Sequence, residues 1–114
     1  MSDGAGGSRR ISQSIRAPGR ARHLEAVLLP DGSVRLHGQD VSNGVHENDE
    51  FSSYEWTWRL RAEDLVRAVA VLGGEADEDP LEVFDRWMAA NPTDPGMVIS
   101  QAGVPIDFES RMGD

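Results

Sequence analysis

The sequence predicts an α+β fold, a small antiparallel sheet with two or three helices packed on one of its faces. The sheet is a hairpin plus a central strand, with room for a C-terminal edge strand. Three observations carry this. Tyr54, Trp56, Trp58 and Leu60 alternate strictly with Glu55, Thr57 and Arg59, the period of a half-buried strand rich in aromatic residues. The period then changes, and Ala62, Leu65, Val66, Val69 and Leu72 form a helical stripe ending at Gly73-Gly74. Strand signals are grouped ahead of helix signals, the order of a sheet covered on one side.

Residues 1–21 are rich in Gly, Ser and Arg, with isolated apolar residues and no periodicity. Such a segment buries too little apolar surface to offset its ordering entropy. The expected organisation is a disordered tail over 1–21 and a single domain over 22–114. His23 to Leu29 reads as the first strand, Pro30-Asp31-Gly32-Ser33 as a turn, and Val34 to Gly38 as the second strand. Pairing Leu29 with Val34 puts Val27, Leu29, Val34 and Leu36 on the core side. Leu24, Ala26, Leu28, Arg35 and His37 fall on the other side, a partly apolar face open to a partner. That register also separates His23 from His37.

Residues 39–53 form a polar loop leading into the central strand. After the first helix comes a second acidic loop, Glu75 to Asp79. Asp79, Pro80 and Glu82 then stand at the N-cap, first and third positions of a helix whose apolar face is Leu81, Phe84, Trp87 and Met88. Asn91-Pro92 ends it. Asp94-Pro95 caps a shorter helix through Met97, Val98 and Ala102, closed by Gly103. Val104 to Phe108 alternates again and reads as an edge strand that tolerates Pro105.

Composition excludes more than it identifies. The chain has no cysteine, hence no disulfide, thiolate zinc site or thiol nucleophile. It has no lysine, hence no Schiff base and no phosphate-binding P-loop. Its apolar runs are too short to span a bilayer, and Arg9-Arg10 precedes no apolar leader, so a cytoplasmic protein away from membranes is expected. Five arginines and one acid give the first 22 residues a charge of +4; six arginines and nineteen acids give the remaining 92 residues −13. A body so acidic repels nucleic acid and attracts basic proteins.

Ser52, Ser53 and Ser100 lack the setting of a nucleophile elbow, and no carboxylate pair has a sequence setting for acid–base work. A non-enzymatic protein without a cofactor follows. The residues with most promise are the acids and histidine of the first loop, Asp40, His46, Glu47, Asp49 and Glu50. Those of the second loop, Glu75, Asp77, Glu78 and Asp79, come next. Loops on a rigid scaffold commonly carry recognition, and carboxylates steer a cationic partner. The tryptophans read as core.

Gly38-Gln39-Asp40, Tyr54-Glu55-Trp56-Thr57, Leu72-Gly73-Gly74-Glu75 and the ending Phe108-Glu109-Ser110-Arg111-Met112-Gly113-Asp114 give residues 24–114 a family look. The chain resembles uncharacterised small acidic proteins of Streptomyces-type actinobacteria. Those motifs hold no catalytic signature, so the resemblance implies no site residue. In size and acidity the chain is also similar to immunity proteins that neutralise bacterial nuclease toxins. The expected function is a non-catalytic domain that binds a basic protein. Two alternatives stand beside it, an accessory protein that self-associates through its sheet face or edge, and a metal-dependent hydrolase-like enzyme using the Asp40–Glu50 loop.

Overall fold

A computed structural model describes residues 8–17, 20–42, 52–91 and 93–113. Five strands form one antiparallel sheet in chain order: β1 (Arg9–Ala17), β2 (Arg20–Leu28), β3 (Val34–Ser42), β4 (Ser52–Leu60) and β5 (Asp107–Gly113). Between β4 and β5 the chain makes a short 3-10 turn (Ala62–Asp64) and three helices, α1 (Leu65–Val71), α2 (Pro80–Ala90) and α3 (Pro95–Gln101). The α+β architecture expected from the sequence is the one found, with a sheet longer at both edges.

The largest difference lies in the expected tail. Arg9–Ala17 form an edge strand paired along the whole of β2, from Arg9 opposite Leu28 to Ala17 opposite Arg20. The disordered segment predicted for 1–21 therefore does not hold over this stretch, and residues 1–7 lie outside the described ones. Alternation explains the strand. Arg9, Ile11 and Gln13 share the parity that meets the helices, where Arg9 pairs with Asp79, Ile11 packs against the core, and Gln13 donates to Asp85 at 2.7 Å. Arg10, Ser12 and Ser14 take the outer face, where Arg10 reaches Glu25 at 3.3 Å and Ser14 meets His23 at 2.9 Å.

The β2–β3 hairpin is where expected, but its register is not. Leu29 N–H donates to Ser33, Gly32 N–H donates to Leu29, and Gly32 takes φ +89°. Three residues, with glycine in the left-handed region, thus make the loop. Leu28 therefore faces Val34, not Leu29, and Ala26 faces Leu36. A slip of one residue exchanges the two faces of a strand. Leu24, Ala26 and Leu28, expected on the far side, lie with the core; Val27 is buried but stands outside that cluster. The slip also brings His23 and His37 to the same outer face, where His37 approaches Thr57 and Glu55.

The core lies between the sheet and the helices. Leu24, Ala26, Leu36, Trp56, Trp58 and Leu60 meet Ala68, Val69, Leu72, Phe84, Met88 and Ile99. Ala68 and Val69 of α1 and Leu72 at its C-cap are buried, whereas Val66 is 57% exposed; the chain enters the helix through a 3-10 turn. Both α1 and α3 end with a glycine at positive φ, Gly73 and Gly103. In each case the following N–H returns to a carbonyl five residues back, Gly74 to Val69 and Val104 to Ile99. The C-terminal strand begins at Asp107, three residues later than the start predicted at Val104. Val104 is instead buried in the core beyond α3.

Asp79 accepts from Leu81 N–H at 3.1 Å and so caps α2, with Pro80 in the first turn. Replacing this cap, Asp79→Ala, should cost about 1 kcal/mol in urea unfolding. Arg9→Ala, which removes only the exposed half of the ion pair, should cost less. An Arg9 variant as damaging as the cap variant would mean that β1 holds α2 far more strongly than the contacts indicate.

Candidate functional site

The site grows from the aromatic face of β4. Trp56 and Trp58 point toward the helices and are 5% and 7% exposed. Each indole lies against a glycine that has room for nothing more. A β-carbon on Gly38, opposite Trp56 on β3, would stand 2.2 Å from its ring, and one on Gly96, in the first turn of α3, 2.2 Å from Trp58. Both glycines are thus demanded by close approach rather than by backbone conformation.

Asp94 fixes the second indole. Its Oδ2 accepts the Trp58 Nε1–H at 2.7 Å and its Oδ1 accepts Gly96 N–H at 3.0 Å, so one buried carboxylate caps α3 and ties it to β4. Burial pushes the Asp94 carboxyl above its ordinary value, against the opposing pull of Trp58, Gly96 and the Arg22 charge. On the neighbouring strands Arg22 and Asp40 are directly opposite. The guanidinium donates to both oxygens of Asp40, at 2.8 and 3.0 Å, and lies over the Trp56 ring, 5.5 Å from its centroid. Asp40 holds the Arg22 guanidinium further up than usual. Tyr54 stacks on Trp56, with centroids 5.5 Å apart, and Phe108 of β5 tilts against Trp58 at 4.5 Å.

Together these residues enclose a cleft of about 380 Å³, with Thr93, Met97 and Phe108 at its margin. Met97 and Phe108 are 47% and 50% exposed, large apolar side chains left in water at the mouth of an aromatic pocket. A cleft of this size, mostly apolar with a few convergent polar groups, is the usual form of a recognition site.

The structure separates the residues singled out from sequence. Asp40 belongs to the cleft. His46, Glu47, Asp49 and Glu50 lie outside the described residues, in the connection that leaves β3 two residues beyond Asp40. Glu75, Asp77, Glu78 and Asp79 lie elsewhere. Asp79 pairs with Arg9, whose row on the sheet runs through Leu28 and Val34, six positions from Asp40 along β3 and hence about 20 Å away. Glu78 accepts from Arg86 and from Glu75 N–H, and Asp79 caps α2, so both have structural work. Their carboxyls are held below the ordinary range, Glu78 chiefly by Arg86 and Asp79 chiefly by Arg9.

Sequence reasoning missed Arg22, Asp94, Met97 and Phe108. It read Asp94 only as a helix cap, and Arg22 only as one of the basic charges just ahead of the first strand. Among the described residues no group of three or more His, Asp or Glu is placed to hold a metal, and no helix is long and apolar enough to cross a membrane. No protein-family model matches the chain, and no significant match was found among curated proteins or solved structures.

Two outcomes follow from this geometry. Gly96→Ala must displace the Trp58 indole, and with it the bond to Asp94; a loss of about 1–3 kcal/mol in denaturant unfolding and a changed tryptophan emission are expected. The second concerns pH. A carboxyl whose folded pKa is raised contributes stability that is full below its unfolded value and is lost as pH rises through the folded one. Asp94→Asn keeps the cap but cannot ionise. The wild-type protein should therefore lose stability relative to this variant as pH rises from the ordinary carboxyl range through the raised folded value. A constant gap between the two unfolding curves would place Asp94 outside the titration.

Proposed function

We propose that the chain is a non-catalytic binding domain for a basic protein, with the aromatic cleft as its anchoring site and the surrounding carboxylates as its steering charge. An immunity-type inhibitor of a basic toxin or nuclease is the concrete form of this reading. The observation that carries it is the cleft itself, with tryptophan and tyrosine walls, exposed Met97 and Phe108 at the mouth, and two carboxylates inside, on a chain of net charge −9. Aromatic anchors supply affinity at protein interfaces, and complementary charge supplies encounter rate. The polar groups of the cleft suit recognition better than proton transfer. Both Asp94 oxygens and both Asp40 oxygens already accept hydrogen bonds, which fixes them as shape and charge.

For the second reading, self-association through the sheet face or edge, the apolar residues expected on the open face, Leu24, Ala26 and Leu28, belong to the core side, which leaves the edge strands as its route. The outer face instead carries polar pairs such as Arg10–Glu25 and Arg59–Glu109. A metal site in the Asp40–Glu50 loop would rest on residues outside those described.

Capture from a lysate of the native host at low salt, repeated at high salt, tests the proposal. A basic protein retained at low salt and released as salt rises is the expected result. Reversing the charges of Glu47, Asp49 and Glu50 together should slow its association roughly tenfold and flatten the salt dependence. Unchanged association kinetics would remove that loop from the encounter surface.

A further inference from the structure

We propose that the cleft is a socket for one cationic side chain of the partner, an arginine guanidinium, seated against the tryptophan wall and beside the carboxylate of Asp94. This rests on the binding-domain reading above and adds the chemistry of its anchor.

The fold already holds one guanidinium against this wall. Arg22 lies over Trp56 with Asp40 accepting both of its bonds, the pairing of aromatic face and carboxylate that suits a planar cation. A second guanidinium would use the other part of the cleft. There the Trp58 and Phe108 rings tilt against each other with centroids 4.5 Å apart, and Asp94, bonded to the Trp58 indole, lines the same cleft.

Charge points the same way. Among the described residues the cleft is lined by one guanidinium and two carboxylates, and Arg22 is matched to Asp40 at 2.8 Å. The charge of Asp94 is met by neutral donors, the Trp58 and Trp56 indoles and the Gly96 amide, with Arg22 acting through space. Burial of that charge is costly, so its carboxyl is held toward the protonated form. A monovalent cation entering the cleft restores the balance. An anion would have to compete with Asp40 for Arg22, and a neutral ring would leave Asp94 uncompensated. The volume, about 380 Å³, stands at the small end of ligand pockets and suits a side chain rather than a cofactor.

The test uses the full chain and n-butylguanidinium as a stand-in for the arginine side chain. The indole N–H signals of Trp56, Trp58 and Trp87 are followed by NMR. Trp87, on α2 and outside the cleft, is the internal control. Saturable shifts of Trp56 and Trp58 with Trp87 unmoved are expected, and acetate or n-butanol at equal concentration should produce none. Asp94→Asn should weaken the guanidinium roughly tenfold or more. Phe108→Ala, at a half-exposed position on the edge strand, should weaken it about two- to fivefold.

Shifts elicited equally by n-butanol or acetate, uniform shifts of all three indoles, or no saturable shift would each overturn the socket. A basic partner that binds the Asp94→Asn and Phe108→Ala variants as tightly as the wild type would sink the socket and leave the binding-domain reading standing. Guanidinium binding with no salt-sensitive partner would do the reverse.

Discussion

The hydrogen bond from the Trp58 indole to Asp94 joins the two layers of this protein, and most of what is particular to the structure depends on it. One carboxylate performs two tasks at once. It accepts the amide of Gly96 as the cap of α3 and accepts the indole of β4 across the core. The indole can come so close only because residue 96 has no side chain. Pro95 and Ile99 of the helix so tied down are fully buried, and the chain passes from it into β5. Burying a carboxylate for this purpose is an unfavourable choice for stability alone, since an apolar contact of the same shape would avoid several kcal/mol of desolvation. On the proposed function, the carboxylate kept there serves the binding surface.

The cleft follows from where the helices stop. Their apolar side chains cover the Val34–Leu60 end of the sheet, while the Asp40–Tyr54 end is roofed by the margin of α3 and by Phe108. At that open end the strands place Arg22 opposite Asp40, so the face is closed by an ion pair rather than by a helix. Two glycines then let the indoles lie flat, Gly38 beneath Trp56 and Gly96 beside Trp58. Shape and charge in the pocket thus share one origin, an aromatic strand longer than the helical layer that covers it.

Local chemistry was legible in the sequence and register was not. The alternation of Tyr54 to Leu60, the Asp79 and Asp94 caps, and the glycines ending α1 and α3 follow from neighbouring residues, and the structure places them as read. The Asp31-Gly32 hairpin was equally visible. Whether its loop holds three residues or four depends on Gly32 adopting positive φ, and that one residue decides which face Leu24, Ala26 and Leu28 take. Arg22 and Asp40 meet only in the true register, so the pair that lines the cleft could not be read beforehand. The edge strand β1 was hidden for another reason. Ile11 supplies little apolar signal by itself, and the strand is completed by contacts with Asp79 and Asp85, some seventy residues away in the chain.

The charge distribution separates folding from binding in a way that salt can expose. Arg9, Arg10, Arg22, Arg59, Arg67 and Arg86 each pair with a carboxylate of the chain. These pairs are mostly exposed, and each contributes little to stability. The surplus of acids, net −9, repels itself in the compact state. Added salt screens that repulsion within a Debye length of about 8–10 Å near physiological ionic strength, so the fold gains or holds stability. On the proposed function, the same screening would weaken attraction to the cationic partner. Opposite slopes for stability and association are the signature of an acidic recognition surface, since a protein that merely unfolded in salt would lose both together.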